Sequence, residues 1–591
     1  MMNLNPEQKA VGSDNYYEAL GVSRRDFLKG VALAGVTSGA GLGAMYFGYG
    51  GRLNDPVRIG VIGTGDEGSV LIGSLNPEYV DVKAICDIRP FSVHRAFHGD
   101  WSTSNTIAVR PGLMSVYGWK SEDEARQHVK IYKDYEELLS NPDIEAVIIA
   151  LPLHLHAPVA IAAMLKGKHV LTEKLMAYDV ASCKEMARVA KKNDKILATG
   201  HQRHYSVLYD NAVHLLKWGL LGQIHHIRAQ WHRGNLPGND SWKMPLPGGE
   251  LAADGKVFDK IASQLASLQK KLKDPKLSPG DIATLEQQVA QWTAWNEDRN
   301  IKPEDYGYQN IKLADGRERS AMEELCRWRL WDRTGGGLMA ELGSHQLDAA
   351  SIFISALRND GKKAHPLSVH AIGGRHIFPL DRDCYDHVYC TFEFPGPGYD
   401  AKEEAPKFYG FQDPITGYDA TKGIPSYADD NNKRVVVTYS TINGNGFGGY
   451  GEVVMGTKGT LVLEREKEVM LYKDSDTSSR VAVKDEKGGG MMDTSHSGDS
   501  AAVAKAADTG PVSRGYTEEI EHWAWCIRNR APENMPKCKP EVAMGDAIIA
   551  LTCNVAMRNA LAGKGGYVKF EEEWFDVDND ATPDGTVPKE A

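Results

Sequence analysis

No run of lysine and arginine offsets the formal net charge of −11 on this 591-residue chain. That argues against a nucleic-acid partner and for a small molecule or a neutral protein. The eight cysteines (Cys86, Cys183, Cys326, Cys384, Cys390, Cys526, Cys538 and Cys553) include no CxxC pair, and no Cys/His cluster has zinc spacing. No metal site is therefore expected. The cysteines are also too sparse for a disulfide scaffold at this length and read as small buried hydrophobes. What is present is ordinary in proportion. Hydrophobic residues make up 42% and charged residues 25%, enough for a large core, and the length implies two to four domains.

Residues 1–52 read as an address and linker. Ser23-Arg24-Arg25-Asp26-Phe27-Leu28-Lys29 precedes an uncharged stretch, residues 30–51, rich in Ala, Gly and Val. Paired arginines ahead of a weakly apolar segment read as a twin-arginine signal. The expected partner is the twin-arginine export machinery, and the expected location periplasmic or otherwise exported. The stretch shows no clear A-x-A cleavage site, so removal and N-terminal membrane anchoring both stay open. Its glycines make it a poor permanent span.

Residues 56–203 read as a dinucleotide-binding Rossmann domain. The β-branched run Val57-Arg58-Ile59-Gly60-Val61-Ile62 leads into Gly63-Thr64-Gly65-Asp66-Glu67-Gly68 and then a helix-compatible stretch. In that context Gly63 permits the tight turn, Gly65 lets the backbone approach a pyrophosphate, and Gly68 lets helix and strand pack closely. The helix N-terminus attracts the phosphate charge. The next strand, residues 80–86, ends in Asp87, placed to accept hydrogen bonds from the adenosine ribose and to repel a 2′-phosphate. That favours NAD, while Arg89 two residues later keeps NADP admissible.

Alternation then continues through a continuous apolar strand at 144–151, a helix at 156–166, a strand at 169–172, an amphipathic helix at 179–192 and a strand at 196–200. Residues 92–125 interrupt it as an insertion or lid. Leu151, His154 and His156, and then Glu173 and Lys174, fall at strand C-terminal ends, where ligands bind in open α/β sheets.

These residues resemble the glucose–fructose oxidoreductase/inositol dehydrogenase/MocA family. Ala150-Leu151-Pro152-Leu153-His154-Leu155-His156 matches its A-x-P-x-x-x-H element, and Gly167-Lys168-His169-Val170-Leu171-Thr172-Glu173-Lys174 matches G-K-H-V-x-x-E-K. Leu175 stands where the family has proline. Further on, Gly335-Gly336-Gly337 through Glu341, Gly343, His345 and Asp348 resembles GGG-x-x-x-D-x-G-x-H-x-x-D, with Glu341 in place of aspartate. The resemblance covers roughly residues 56–235 and 325–570.

The resemblance implies an α/β chain: a doubly wound parallel Rossmann sheet, then an α+β domain over 204–570 with a large, open, mostly antiparallel sheet, and a tail at 571–591. It implies NAD as cofactor, a sugar or polyol as substrate, and pairing of chains into a homo-oligomer. The reaction it implies is reversible hydride transfer between a carbon-bound hydroxyl and the nicotinamide.

Alcohol oxidation requires a group that takes the hydroxyl proton. Lys174 and His345 are the candidates, with His345 as acid/base and Lys174 polarising the substrate oxygen, or the reverse. Glu341, four residues before His345, shares its face if the segment is helical and orients the imidazole. Asp348, one turn on, is placed to bind substrate hydroxyls. Gln202 on the cofactor side and Arg203 on the substrate side follow the last Rossmann strand into the cleft. Trp231-His232-Arg233 and Trp242-Lys243 supply aromatic faces suited to a sugar ring.

Residues 244–325 depart from the family. Apolar spacing predicts a helical hairpin at 254–272 and 278–295, which either caps the site or forms an oligomer contact. Residues 474–512 read as a mobile loop. Two rivals stand beside net redox. One is NAD-dependent glycoside hydrolysis by transient oxidation of the sugar, and the other is a non-catalytic carbohydrate-binding protein on a Rossmann scaffold.

Overall fold

The apolar runs of the N-terminal half pair side by side in the computed structural model, which describes residues 4–21, 44, 47–251, 255–313, 316–358, 361–396, 399, 433–486, 489–493 and 514–589. Strands β1 (Val57–Ile62), β2 (Val80–Cys86), β3 (Lys130–Tyr132), β4 (Ala146–Ile149), β5 (His169–Glu173) and β6 (Leu197–Gly200) form one parallel sheet in the order β3-β2-β1-β4-β5-β6. Every residue of β4 is buried, because helices cover both faces of a parallel sheet. The strand order reverses between β1 and β4, and a crevice opens there at the strands' C-terminal ends.

The second sheet has eight strands: β7 (Ile224–Arg233), β8 (Ser368–Gly374), β9 (His387–Pro395), β10 (Arg434–Asn443), β11 (Tyr450–Gly456), β12 (Gly459–Glu464), β13 (Glu468–Lys473) and β14 (Tyr567–Lys569). They are ordered β13-β12-β11-β7-β10-β9-β8-β14. Only β7 and β10 run parallel. Burial alternates strictly along β10, which places Val435, Val437 and Tyr439 inward. Helix Pro540–Leu561 packs on β8. It shares one apolar core with Ile62 and Val147 of the first sheet and Val388 and Val437 of the second.

Three stretches differ from the sequence reading. Residues 4–21 belong to the folded body. Helix Pro6–Ala19 lies on β13, where Asn15 donates to the Leu471 and Ser479 carbonyls at 2.8 and 2.9 Å. Gly12 is required there, since a Cβ would sit 2.3 Å from the Tyr472 ring. After the arginine pair, Tyr49 stacks on His522 and donates to Glu521. The arginine pair itself and residues 22–43 lie outside the described residues.

The reading of 474–512 as a loop missed a hairpin of Ala482–Glu486 with Gly489–Asp493; residues 494–513 lie outside the described residues. The 571–589 tail folds back on helix Val180–Lys192. There the Lys184 ammonium donates to the carbonyls of Glu573, Asp576 and Asn579. No helix among the described residues is long and apolar enough to cross a membrane.

The predicted hairpin is present as Lys260–Lys271, capped by Asp259, and Pro279–Glu297, capped by Ser278 with proline in the first turn. It docks on helix Pro90–His98: Trp295 stacks on Phe91 at 4.4 Å, and Gln291 accepts from the Trp101 backbone.

Candidate active site

A cleft of about 880 Å³ lies at the strand crossover. At one end, β1 runs into helix Asp66–Gly73 through Gly63, whose φ of +87° and 2.3 Å Cβ approach to the Ala150 carbonyl exclude any other residue. A Cβ on Gly65 would meet no protein atom and would stand in the cleft itself. Asp87 closes this end. Its carboxylate accepts from the Thr64 and Arg89 backbone N–H groups at 2.8 and 2.9 Å and borders the cleft. An open backbone cradle at a helix N-terminus with an acid at the end of β2 fits a dinucleotide. Arg95 pairs with Asp66 at 2.7 Å, and with Arg110 it holds that carboxyl well below its usual range against the effect of burial.

At the other end, Lys174 reaches from the end of β5 to the carbonyls of Glu341 and Ala340, at 2.6 and 3.5 Å, in the turn that carries His345. Leu175 follows through a cis peptide bond. His345 borders the cleft with Trp231, ring centroids 5.5 Å apart. Burial, then the charges of Lys174 and Arg203, hold the imidazole pKa well below its usual value, so the ring is neutral. Glu173, 8% exposed, is pushed up to about 8 by burial and the Glu67 charge.

Glu341 does not orient His345. The segment Met339–Gly343 is a π-turn rather than an α-turn, so a residue four places back no longer sits beneath the imidazole. The Glu341 carboxylate pairs instead with Arg329 at 2.8 Å. Burial alone would raise its pKa, but Arg329, Lys174 and Arg233 bring it to about 2, leaving a fixed anion.

Other candidate residues also divide. Gly63, Gly65, Asp66, Glu67 and Arg89, then Leu151, His156, Gln202 and Trp231, border the cleft. Thr64 is buried against Asp87, Gly68 packs against the Gly63 carbonyl, and His154 lies edge-on to Tyr308. Arg203 corrects its expected substrate role. It is 2% exposed, pairs with Glu452 and Glu466, and donates to the His345 carbonyl, supporting the site from behind. Asp348 is likewise not at the cleft. It sits in a buried cluster with His204 at 2.9 Å, His201 at 3.6 Å and Lys363 at 3.7 Å, and the Lys363 ammonium also pairs with Asp546. Trp242, 9% exposed, is a core residue whose ring lies 5.6 Å from the Arg233 guanidinium.

Sequence reasoning missed Arg95, Arg329, Arg514 and Tyr516, which border the cleft outside any motif, and the part played by the insertion. Met244, Asp305, Tyr306, Tyr308 and Leu325 line the cleft, so the insertion forms one wall of it. Asp298 pairs with Arg89 at 2.9 Å and accepts from the Phe91 N–H at 3.0 Å.

Residues 57–201 match the Gfo/Idh/MocA model, described as an oxidoreductase family with an NAD-binding Rossmann fold. Among curated relatives, a glycosyl hydrolase family 109 protein from Solibacter usitatus is 29% identical over 215 residues, 36% of this chain and 46% of that protein. A 1-carboxy-3-chloro-3,4-dihydroxycyclohexa-1,5-diene dehydrogenase from Comamonas testosteroni is 27% identical over 242 residues, 40% of this chain and 51% of that protein. The chain thus spans about half the length of these relatives. A solved NAD-binding oxidoreductase from Klebsiella pneumoniae aligns at a TM-score of 0.47 and 15% identity, over 87% of this chain and 99% of that one.

Proposed function

We propose that this protein is an NAD-dependent oxidoreductase that moves a hydride between a sugar or polyol hydroxyl and a tightly held nicotinamide. The observation that carries the reading is the convergence of Lys174 and His345 on one cleft with the Gly63–Gly68 turn and Asp87. Gly63, Gly65, Asp87 and the N-terminus of helix Asp66–Gly73 would hold the dinucleotide, which when bound supplies the hydride acceptor. His345, neutral and facing the cleft, takes the hydroxyl proton as the carbon loses its hydride. Lys174, fixed by two carbonyls, donates to the substrate oxygen. Trp231, stacked on Tyr450 at 4.4 Å, gives a flat wall for a ring.

The test is nucleotide content and redox state. NAD released from denatured protein, and a reduced-nicotinamide absorbance band on adding a polyol or sugar, are expected. A chain that neither contains nor binds nicotinamide would refute the reading and leave a carbohydrate-binding role.

The family 109 relatives favour a second version, in which the sugar is oxidised transiently and a glycosidic bond breaks. Release of an aglycone with no accumulated keto sugar would select it. Export is part of the proposal, supported by Ser23 to Lys29, and loss of export on replacing Arg24 and Arg25 by lysine is its test. Self-association is supported by Ile372 and Tyr389, 58% and 40% exposed and directly opposite in the β8–β9 register.

A further inference from the structure

Five arginines border the cleft: Arg89, Arg95, Arg233, Arg329 and Arg514. Four have carboxylate partners: Arg89 has Asp298, Arg95 has Asp66 and Asp100, Arg329 has Glu341, and Arg514 has Glu466. Arg233 has neither an ion pair nor a hydrogen bond from its side chain among the described residues, and its Nε is buried without a partner. Its guanidinium lies 5.6 Å from each of the Trp231 and Trp242 ring centroids. Two aromatic faces hold it in place but cannot neutralise it. It belongs to the His345 end of the cleft, since the Trp231 ring lies against both.

Resting on the reading above, we propose that the substrate is an anionic sugar or polyol whose carboxylate or phosphate is bound by Arg233. The local charge agrees. Lys174, Arg233 and Arg329 border this end of the cleft with Glu341, whose carboxylate pairs with Arg329, while Asp66 and Glu67 act on Arg329 and not on Arg233. A cationic guanidinium kept partly desolvated is a planar fork that matches a carboxylate or phosphate in two parallel bonds. Glu341 acts on Arg233 only through space, so a neutral sugar would leave the guanidinium without a hydrogen-bonded anion, which penalises neutral substrates as well as favouring anionic ones.

The experiment uses the full chain loaded with NAD and follows tryptophan fluorescence, since Trp231 and Trp242 flank the guanidinium. Matched pairs serve as probes: glucose with glucuronate, galactose with galacturonate, and glucose with glucose 6-phosphate. The acids are expected to bind about 10- to 100-fold tighter than their neutral partners, with the uronate and phosphate arms distinguishing the two anions. R233Q should erase that ratio, whereas R233K should keep part of it. Where R233Q does not fold, R233K alone decides, by a reduced but salt-sensitive ratio.

Equal binding of acids and neutral sugars by the unaltered protein, or a ratio untouched in R233Q or R233K, would overturn the proposal. Binding of acids with no change in nicotinamide absorbance would instead overturn the redox reading and leave the anion site standing.

Discussion

Asp298→Asn tests how the insertion governs cofactor choice. Asp298 is fully buried and Arg89 is 19% exposed, with 2.9 Å between them. The substitution keeps shape and an acceptor for the Phe91 N–H, but removes the charge that holds Arg89. Leaving a buried charge unpaired costs about 3–5 kcal/mol when it has nowhere to go. Arg89 borders the cleft, so its guanidinium can turn there, and about 1–3 kcal/mol of stability is the expected loss. A freed Arg89 beside the end of β2 then offers a charge-assisted bond to a 2′-phosphate, of order 1.5–3 kcal/mol. The NADP-to-NAD affinity ratio should therefore rise about 10- to 150-fold over the unaltered protein. Parallel calorimetric titrations of both proteins with NAD and with NADP check it. An unchanged ratio, or an unaltered protein that already prefers NADP, would refute the claim that Asp298 sequesters Arg89 from the ribose.

Three further outcomes follow from the same coordinates. His345→Asn and Lys174→Met should each lower kcat by about 10²- to 10⁴-fold while NAD binding, read by calorimetry, stays within a fewfold; loss of NAD binding instead would assign them to the cofactor. Burial, with Glu518 and Glu78 nearby, pushes the Glu521 carboxyl up to about 7, so the folded state keeps a proton that the unfolded chain releases above its ordinary value. Stability from this group is present at low pH and lost as pH rises from about 4.5 to 7. Glu521→Gln should flatten that fall by about 3 kcal/mol in urea unfolding, and an identical slope would be the contrary result. Tyr16, 1% exposed, anchors the N-terminal helix on the large sheet. Tyr16→Ala should cost its docking about 3 kcal/mol, seen as protease release of the first twenty or so residues without global unfolding.

The first sheet was legible because its rules are local. β1 and β2 fall where the β-branched runs place them, and β4 has the burial that a continuous apolar run demands. The candidate cofactor residues Gly63, Gly65 and Asp87 fall together at one end of the cleft for the same reason, since a strand, a glycine turn and an acid are close in sequence. The substrate end was read less well. Glu341 and Asp348 have motif positions but not the expected partners, because one π-turn shifts the helical phase and Arg329 and the His201–His204–Lys363 cluster compete for the carboxylates. Periodicity cannot show which of several long polar side chains wins a carboxylate.

The insertion sharpens this division. Its two helices were predictable from apolar spacing and caps, yet their purpose depends on Asp298 meeting Arg89 across 209 residues of chain. Nothing in the local pattern distinguishes a helical hairpin that projects into solvent from one whose terminal carboxylate lands on the cofactor end of a cleft. The decisive quantity is burial: an aspartate with no solvent exposure must have its charge met, and among the described residues the cation on Asp298 is Arg89, the arginine whose freedom would admit a 2′-phosphate. The expected outcome is therefore a cofactor preference set jointly, by Asp87 at the end of β2 and by Asp298 in the insertion, and the calorimetric ratio is what decides it.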